Sequence, residues 1–326
     1  MKSSMDRPRS VKTRVRTDRT GKRLAEVTDD HYSPLIMEAL HTLRSADGAR
    51  LGYRLWREGT KPRRAIVLLH GMASNMTRWS EFVEHTSLKH HWDILRPDLR
   101  GHVESFARGR LGLEVWSRDL QTLLDVEHYE KAVVIGHSLG AQVAMHFAAH
   151  HPARVQGVVL IDPVFHQALR GAMRVADIFR PVLEGIVSLI LFLNRIGLRR
   201  RNIPGRDLRI MDEATRLKFL GAGKQEEMID LYSSPWEDLK YFPVASYLQE
   251  LLEIIRPLPP LSQIKAPVLA LLSKGITYTD PKTTHRLLEE QPEIQIKTID
   301  AYHWPLTENP LQIRNTIEAW CKRFPT

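Results

Sequence analysis

From residue 65 onward the chain alternates brief apolar runs with stretches whose apolar positions recur at helical spacing. AIVLL (65–69), residues 94–96, AVVIG (132–136), GVVLI (157–161), PVLALL (267–272) and IQIKTI (294–299) have the length and β-branched content of strands. Residues 114–126, 139–150, 281–290 and 310–322 have helical spacing or composition. This succession predicts a mostly parallel sheet with helices on both faces, because a strand covered on both sides needs apolar residues nearly throughout. Upstream, LHTLRSADGARLGYRLW reads as two strands about an Asp47-Gly48 turn, a common short hairpin signal.

The alternation lapses once, between Asp162 and about Leu261. So long a gap with helical patterns of its own is no mere connection and reads as an inserted helical cap, residues 163–261, between two parts of one core, 31–162 and 262–326. Within it, RPVLEGIVSLILFLNRIGLRRR joins an apolar run (186–193) to Arg199, Arg200 and Arg201. A helix buried against the main domain is the expectation there, with a lipid-facing surface as the sharper alternative.

Composition narrows the setting. With 326 residues, 43% of them hydrophobic, one α/β domain with an insertion can bury a large core. A single cysteine, Cys321, forms no internal disulfide, which fits a reducing, cytoplasmic compartment. No apolar run approaches the roughly 20 residues needed to span a bilayer, and no secretory leader is expected. The net charge of +9 suggests a polyanion partner only until it is located: 1–23 carries nine Lys and Arg against two Asp. Residues 1–30 are therefore expected to form a disordered basic tail, nucleic acid is not an expected partner, and peripheral membrane contact through cap or tail stays open.

The chemistry centres on VVIGHSLGAQVAMHFA (133–148). A strand ending at Gly136 and a helix starting at Leu139 leave Ser138 on a very tight turn, where only small neighbours fit; Gly136 and Gly140 supply them. The turn lifts the hydroxyl above the sheet and aims a helix N-terminus, with its unpaired N–H groups, at whatever Ser138 attacks. Other apparent motifs fail. GAGKQ (221–225) lacks the remaining residues of a phosphate loop, and His146 and His150 have one-turn spacing without a glutamate partner, so neither a nucleotide nor a metal is expected.

From about Leu40 to the C-terminus, and least in the cap, the sequence resembles the α/β-hydrolase superfamily. Besides the segment around Ser138, LLHGMASNMTRW carries the His70-Gly71 pair that opens the oxyanion loop, DLRGH (98–102) follows the next strand, and DAYHWPLTENP places His303 after the last one. Val103 and Tyr302 stand where that family often has glycine. The resemblance implies His303 as the base that takes the Ser138 proton, and the backbone N–H groups of Met72 and Leu139 as oxyanion donors. It implies an acid as well, near Thr277 and Tyr278 in SKGITYTDP. Asp280 is the nearest carboxylate, yet before Pro281 it also reads as a helix cap. Asp162, at the end of VVLID, stands where some capped relatives such as certain haloalkane dehalogenases keep their acid; the two are nearly even, with the lean to Asp162.

The expected activity is hydrolysis of a hydrophobic or lipid-like carboxylic ester through an acyl-enzyme, without cofactor or metal. Acyl transfer, perhydrolase or C–C hydrolase chemistry on the same residues, and a non-catalytic binding protein on this fold, are the alternatives. Serine at the nucleophile position disfavours dehalogenase and epoxide-hydrolase chemistry, which the family performs with aspartate.

Overall fold

The structure, a computed structural model, describes residues 14–17, 23–27, 38–59, 62–107, 109–275, 278–291 and 293–324. Most of the expected basic tail lies outside them; within it β1 (Arg14–Thr17) and β2 (Arg23–Val27) form an antiparallel pair. β3 (Glu38–Arg44) and β4 (Arg50–Trp56) form the hairpin about Gly48, whose φ of 82° is the left-handed turn conformation that glycine takes without a Cβ clash.

The central sheet continues with β5 (Arg64–Leu69), β6 (Trp92–Pro97), β7 (Ala132–His137), β8 (Val155–Ile161), β9 (Val268–Ser273) and β10 (Ile294–Ile299). Its order is β10-β9-β8-β7-β5-β6-β4-β3, parallel from β10 to β6 and antiparallel at β4 and β3. The fold is α/β, with an eight-stranded, mostly parallel sheet as the sequence pattern predicts. Alternate residues of the inner strands serve opposite cores: Val67, Val134 and Leu160 face one cluster, Ile66, Ile135 and Ile161 the other. Helices α2 (Leu113–Val126) and α3 (Leu139–His150) cover the first face; α1 (Ser80–His85) and the terminal α12 (Pro310–Cys321) cover the second. Burial of both faces is why these strands read as unbroken apolar runs.

Strand order reverses at β5, which has β6 on one side and β7 on the other. Crevices open beyond the carboxyl ends of strands at such a reversal. The segments leaving β5 and β7 there carry His70 to Met72 and Ser138.

Between β8 and β9 run α4 (Gly171–Ile178), α5 (Arg180–Arg195), α6 (Leu208–Thr215), α7 (Gln225–Tyr232), α8 (Pro235–Tyr241) and α9 (Val244–Ile254). Beyond β9 lie α10 (Pro281–Glu289) and the short α11 (Pro305–Glu308). α9 is stitched to the core: Gln249 accepts from Leu111 N at 2.9 Å, Glu253 from Leu113 N at 3.2 Å, and Gln142 donates to the Ile254 carbonyl at 2.8 Å. The expectation that α5 is buried is corrected. Only Val187 and Leu191 are buried, while Val182, Ile186, Leu189 and Phe192 are exposed, because α5 carries apolar residues on two faces and packs only one of them.

Candidate active site

Ser138 links the last residue of β7 to the first of α3 with φ 51° and ψ −116°, a conformation costly for any residue with a Cβ. The surrounding contacts hold it there. A Cβ on Gly136 would meet the Gly140 carbonyl oxygen at 2.1 Å, and one on Gly140 would meet the Leu69 carbonyl oxygen at 2.4 Å, so α3 crosses β7 and the end of β5 at glycine distance. Ser138 N donates to the Ile161 carbonyl at 2.9 Å, tying the turn to β8.

His303 lies in the loop between β10 and α11, and its Nε2 is 3.2 Å from Ser138 Oγ. Burial holds the imidazole well below its ordinary pKa of 6.5, with the neighbouring His137 adding to the effect. It is therefore neutral near pH 7, with Nε2 free to accept the serine proton. Glu308 at the end of α11 takes the N–H groups of Tyr302 and Trp304, each at 3.0 Å, and so fixes the loop on both sides of His303.

The structure sets the two candidate acids in different places. Asp162, at the end of β8, has Oδ2 3.8 Å from His303 Nδ1; that is a charge contact longer than a hydrogen bond. Its oxygens accept from Ser273 N at 2.7 Å and Ser273 Oγ at 2.6 Å. Burial raises the carboxyl pKa to about 7 despite both bonds, consistent with a side chain only 10% exposed. Asp280 is the N-cap of α10: its Oδ2 accepts from Thr283 N at 2.8 Å and Thr283 Oγ1 at 2.7 Å, and Oδ1 pairs with Arg170 at 3.4 Å. Where relatives of the resembled family often keep the acid, the Tyr278 ring stands edge-on to His303, centroids 4.9 Å apart.

Met72 follows β5 in the loop facing Ser138. Among the described residues no protein group accepts from the N–H of Met72 or Leu139. The loop is pinned around them. Leu99 N donates to His70 Nε2 at 3.0 Å, so His70 carries its proton on Nδ1, which bonds the Gly71 carbonyl at 2.9 Å. Burial keeps His70 neutral. Ala73 N donates to Glu250 of α9 at 3.0 Å, and Asp98 accepts from Met76 N at 2.7 Å. Glu250 also holds His102 at 3.0 Å, in a fully buried charge contact without hydrogen-bond alignment that raises the histidine pKa against the effect of burial.

Several of these residues carry no signal in a single sequence. His137 sits in the variable position before Ser138, yet its Nε2 donates to the His303 carbonyl at 2.8 Å; burial drops its pKa to about 4, and a Cβ on Gly71 would come within 3.3 Å of its ring. Ser273 reaches Asp162 only through the pairing of β8 with β9, and Glu250 reaches Ala73 only through the return of α9. His137, Asp162 and His303 bring ligand atoms within 4.8 Å of one another, but the bonds to the His303 carbonyl, Ser273 and Ser138 already engage them. A cleft beside Met72 and Trp304 is lined by Met211, Leu231, Tyr241 and Arg206 of the cap segment.

The family profile described as the alpha/beta hydrolase fold matches residues 64–310. An uncharacterized protein of Mycobacterium tuberculosis is 34% identical over 120 residues, 36% of this chain and 33% of that protein, so the chain spans about a third of the first curated relatives it matches. The sn-1-specific diacylglycerol lipase ABHD11 of Mus musculus is 24% identical over 266 residues, 78% of this chain and 80% of the lipase. Among solved structures, a thermophilic esterase from Thermogutta terrifontis superposes with a TM-score of 0.60 at 20% identity, over 88% of this chain and 99% of that one. With well over half its length matched to the profile, and with this sheet and this turn, the chain belongs to the α/β-hydrolase family.

Proposed function

We propose that the chain is a serine hydrolase of carboxylic esters with a hydrophobic acyl part. The observation that carries the reading is Ser138 on its left-handed turn with the neutral Nε2 of His303 at 3.2 Å, since a nucleophile and a base in reach of each other are what acyl transfer to an enzyme needs. Ser138 Oγ attacks the ester carbonyl carbon while its proton passes to His303 Nε2. The N–H groups of Met72 and Leu139 hold the oxyanion, and Asp162 stabilises the imidazolium at Nδ1. The C–O bond breaks as His303 gives its proton to the departing alcohol; water, deprotonated by His303, then releases the acid and frees Ser138.

Asp162 is favoured over Asp280 because Asp280 spends one carboxylate oxygen as a cap and directs the other to Arg170. The similarity to a lipase over most of both chains supports an ester as substrate, and Met72, Met211, Leu231 and Trp304 along the cleft support an apolar acyl group. The test is a panel of p-nitrophenyl esters of increasing chain length with a fluorophosphonate probe, on the wild type and Ser138→Ala. Turnover and labelling that both vanish in the variant are expected. Labelling that survives the substitution rejects the assignment, and turnover only in the presence of an added alcohol acceptor moves the reaction to acyl transfer.

A further inference from the structure

Helix α5 has three faces. On a 3.6-residue turn, Val182, Ile186, Leu189 and Phe192 fall within an arc of roughly 120°, all exposed. Val187 and Leu191 lie on the opposite side and join the main core. Glu184, Ser188 and Arg195 occupy a narrow polar strip between them. The outer arc continues beyond both ends of the helix: Ile178 is 67% exposed before it, and Ile196 and Leu198 are 58% and 65% exposed after it. A contiguous apolar face of this length on a protein surface marks a contact, whereas scattered exposed apolar residues need no explanation.

Charge identifies the contact. The stripe ends in Arg199, Arg200 and Arg201, all exposed, with Arg195 one turn earlier. Arg200 donates to the carbonyls of Leu239 at 2.6 Å and Lys240 at 2.7 Å, which anchors the run beside the helix. Among the described residues no ion pair engages Arg195, Arg199 or Arg201. A second copy docked through this same face would add its own Arg195, Arg199, Arg200 and Arg201 to the contact, like charge beside like. No described helix is long and apolar enough to cross a bilayer, so a surface contact is what the geometry allows. A helix with an apolar face edged by arginine lies in the plane of a membrane interface, its apolar side among the acyl chains and its cations among the headgroups.

We propose that the outer face of α5, together with the arginines that follow it, docks on an anionic lipid surface. The contact stands apart from the ester chemistry, since no residue of it touches Ser138 or His303. The experiment is co-sedimentation of the full chain with phosphatidylcholine vesicles, with and without phosphatidylglycerol, at low and physiological ionic strength. Turnover of a soluble ester is followed in parallel. The wild type is expected to bind the anionic vesicles at least ~10-fold more tightly than the neutral ones, and less tightly at the higher salt. Val182→Ser/Leu189→Ser/Phe192→Ser and Arg199→Gln/Arg201→Gln should each weaken binding about 10-fold with soluble turnover unchanged.

An environment-sensitive dye on Leu189→Cys gives a second readout in a chain with otherwise native residues, because the natural Cys321 is buried; its emission should shift to the blue on anionic vesicles. No vesicle binding by the wild type, or binding that survives the triple substitution, overturns the proposal. So does a wild-type dimer that the triple substitution makes monomeric, which would assign the face to a second copy. A chain that binds vesicles without any esterase activity leaves the docking face standing and rejects only the ester reading.

Discussion

Ser273 grips Asp162 by both carboxylate oxygens, its backbone N–H on Oδ1 at 2.7 Å and its hydroxyl on Oδ2 at 2.6 Å. The two residues meet because β8 and β9 run parallel in register, Ile161 opposite Leu271, and Asp162 N continues the ladder to the Leu271 carbonyl. Both bonds favour the ionised carboxylate and oppose the burial that drives its pKa up. Ser273→Ala removes the hydroxyl bond alone. The acid limb of the rate profile should move to higher pH, with turnover down about 10-fold at pH 7 and largely recovered at pH 9. A uniform loss across the pH range would instead point to altered packing.

Substituting the two aspartates separates their roles. Asp162→Asn should lower turnover by about three to four orders of magnitude, the cost of losing the charge that orients and stabilises the base in the proposed mechanism. Asp280→Asn should leave it within about twofold, since Asn caps a helix nearly as well as Asp. Steady-state rates on one soluble ester decide the matter, and two near-native rates would reject the mechanism as well as the assignment.

Stability should follow the opposite order. A carboxyl pKa raised from 3.8 to about 7 means that the folded state holds the Asp162 proton more tightly than the unfolded chain does. Folding stability attributable to this group therefore falls as pH rises from about 4 to 7, and the penalty is complete above 7. Asp162→Asn should unfold at a higher temperature than the wild type at pH 8, by roughly 2–4 °C per kcal/mol recovered, and at nearly the same temperature at pH 4. Calorimetry at the two pH values checks the sign. With His303 already neutral, the same titration should set the rate profile: kcat/KM rises through about pH 7 to a plateau, with no second limb from the histidine near neutrality.

The repeating strands and helices, the hairpin at Gly48 and the turn at Ser138 were legible because each is dictated locally, by period, by β-branched content or by a glycine that the backbone requires. That His303 would come within reach of Ser138 was legible through the resemblance to a family motif. Which carboxylate lies nearer His303 was not, because the distance between Asp162 and His303 is set by strand order, and Asp280 offered a carboxylate at almost the right place in sequence. Burial of α5 was misread for a related reason. An apolar run records how many apolar residues a helix has, whereas its two-faced distribution shows only once the packed side is known.

Backbone strain at Ser138 yields a further test. Ser138→Ala and Ser138→Gly should both be inactive, but only glycine relieves a φ of 51°, so Ser138→Gly should be the more stable by about 1 kcal/mol in chemical denaturation. Equal stabilities would mean that neighbouring contacts, rather than the turn's own conformation, dominate at this position.

The loop that carries Met72 is held by the cap as well as by the core. Glu250 of α9 takes the N–H of Ala73, and Arg78 lies against Asp212 of α6 while Asn75 donates to the Arg206 carbonyl at 2.9 Å. Access and reactivity are thereby joined in one mechanical coordinate. On the proposed mechanism, an acyl group large enough to push α6 or α9 outward would also drag the Met72 N–H from its station, so oversized substrates would gain entry at the expense of the step that follows. Selectivity against bulk would then belong to kcat rather than to KM, with the substrate measured by how little the cap must yield.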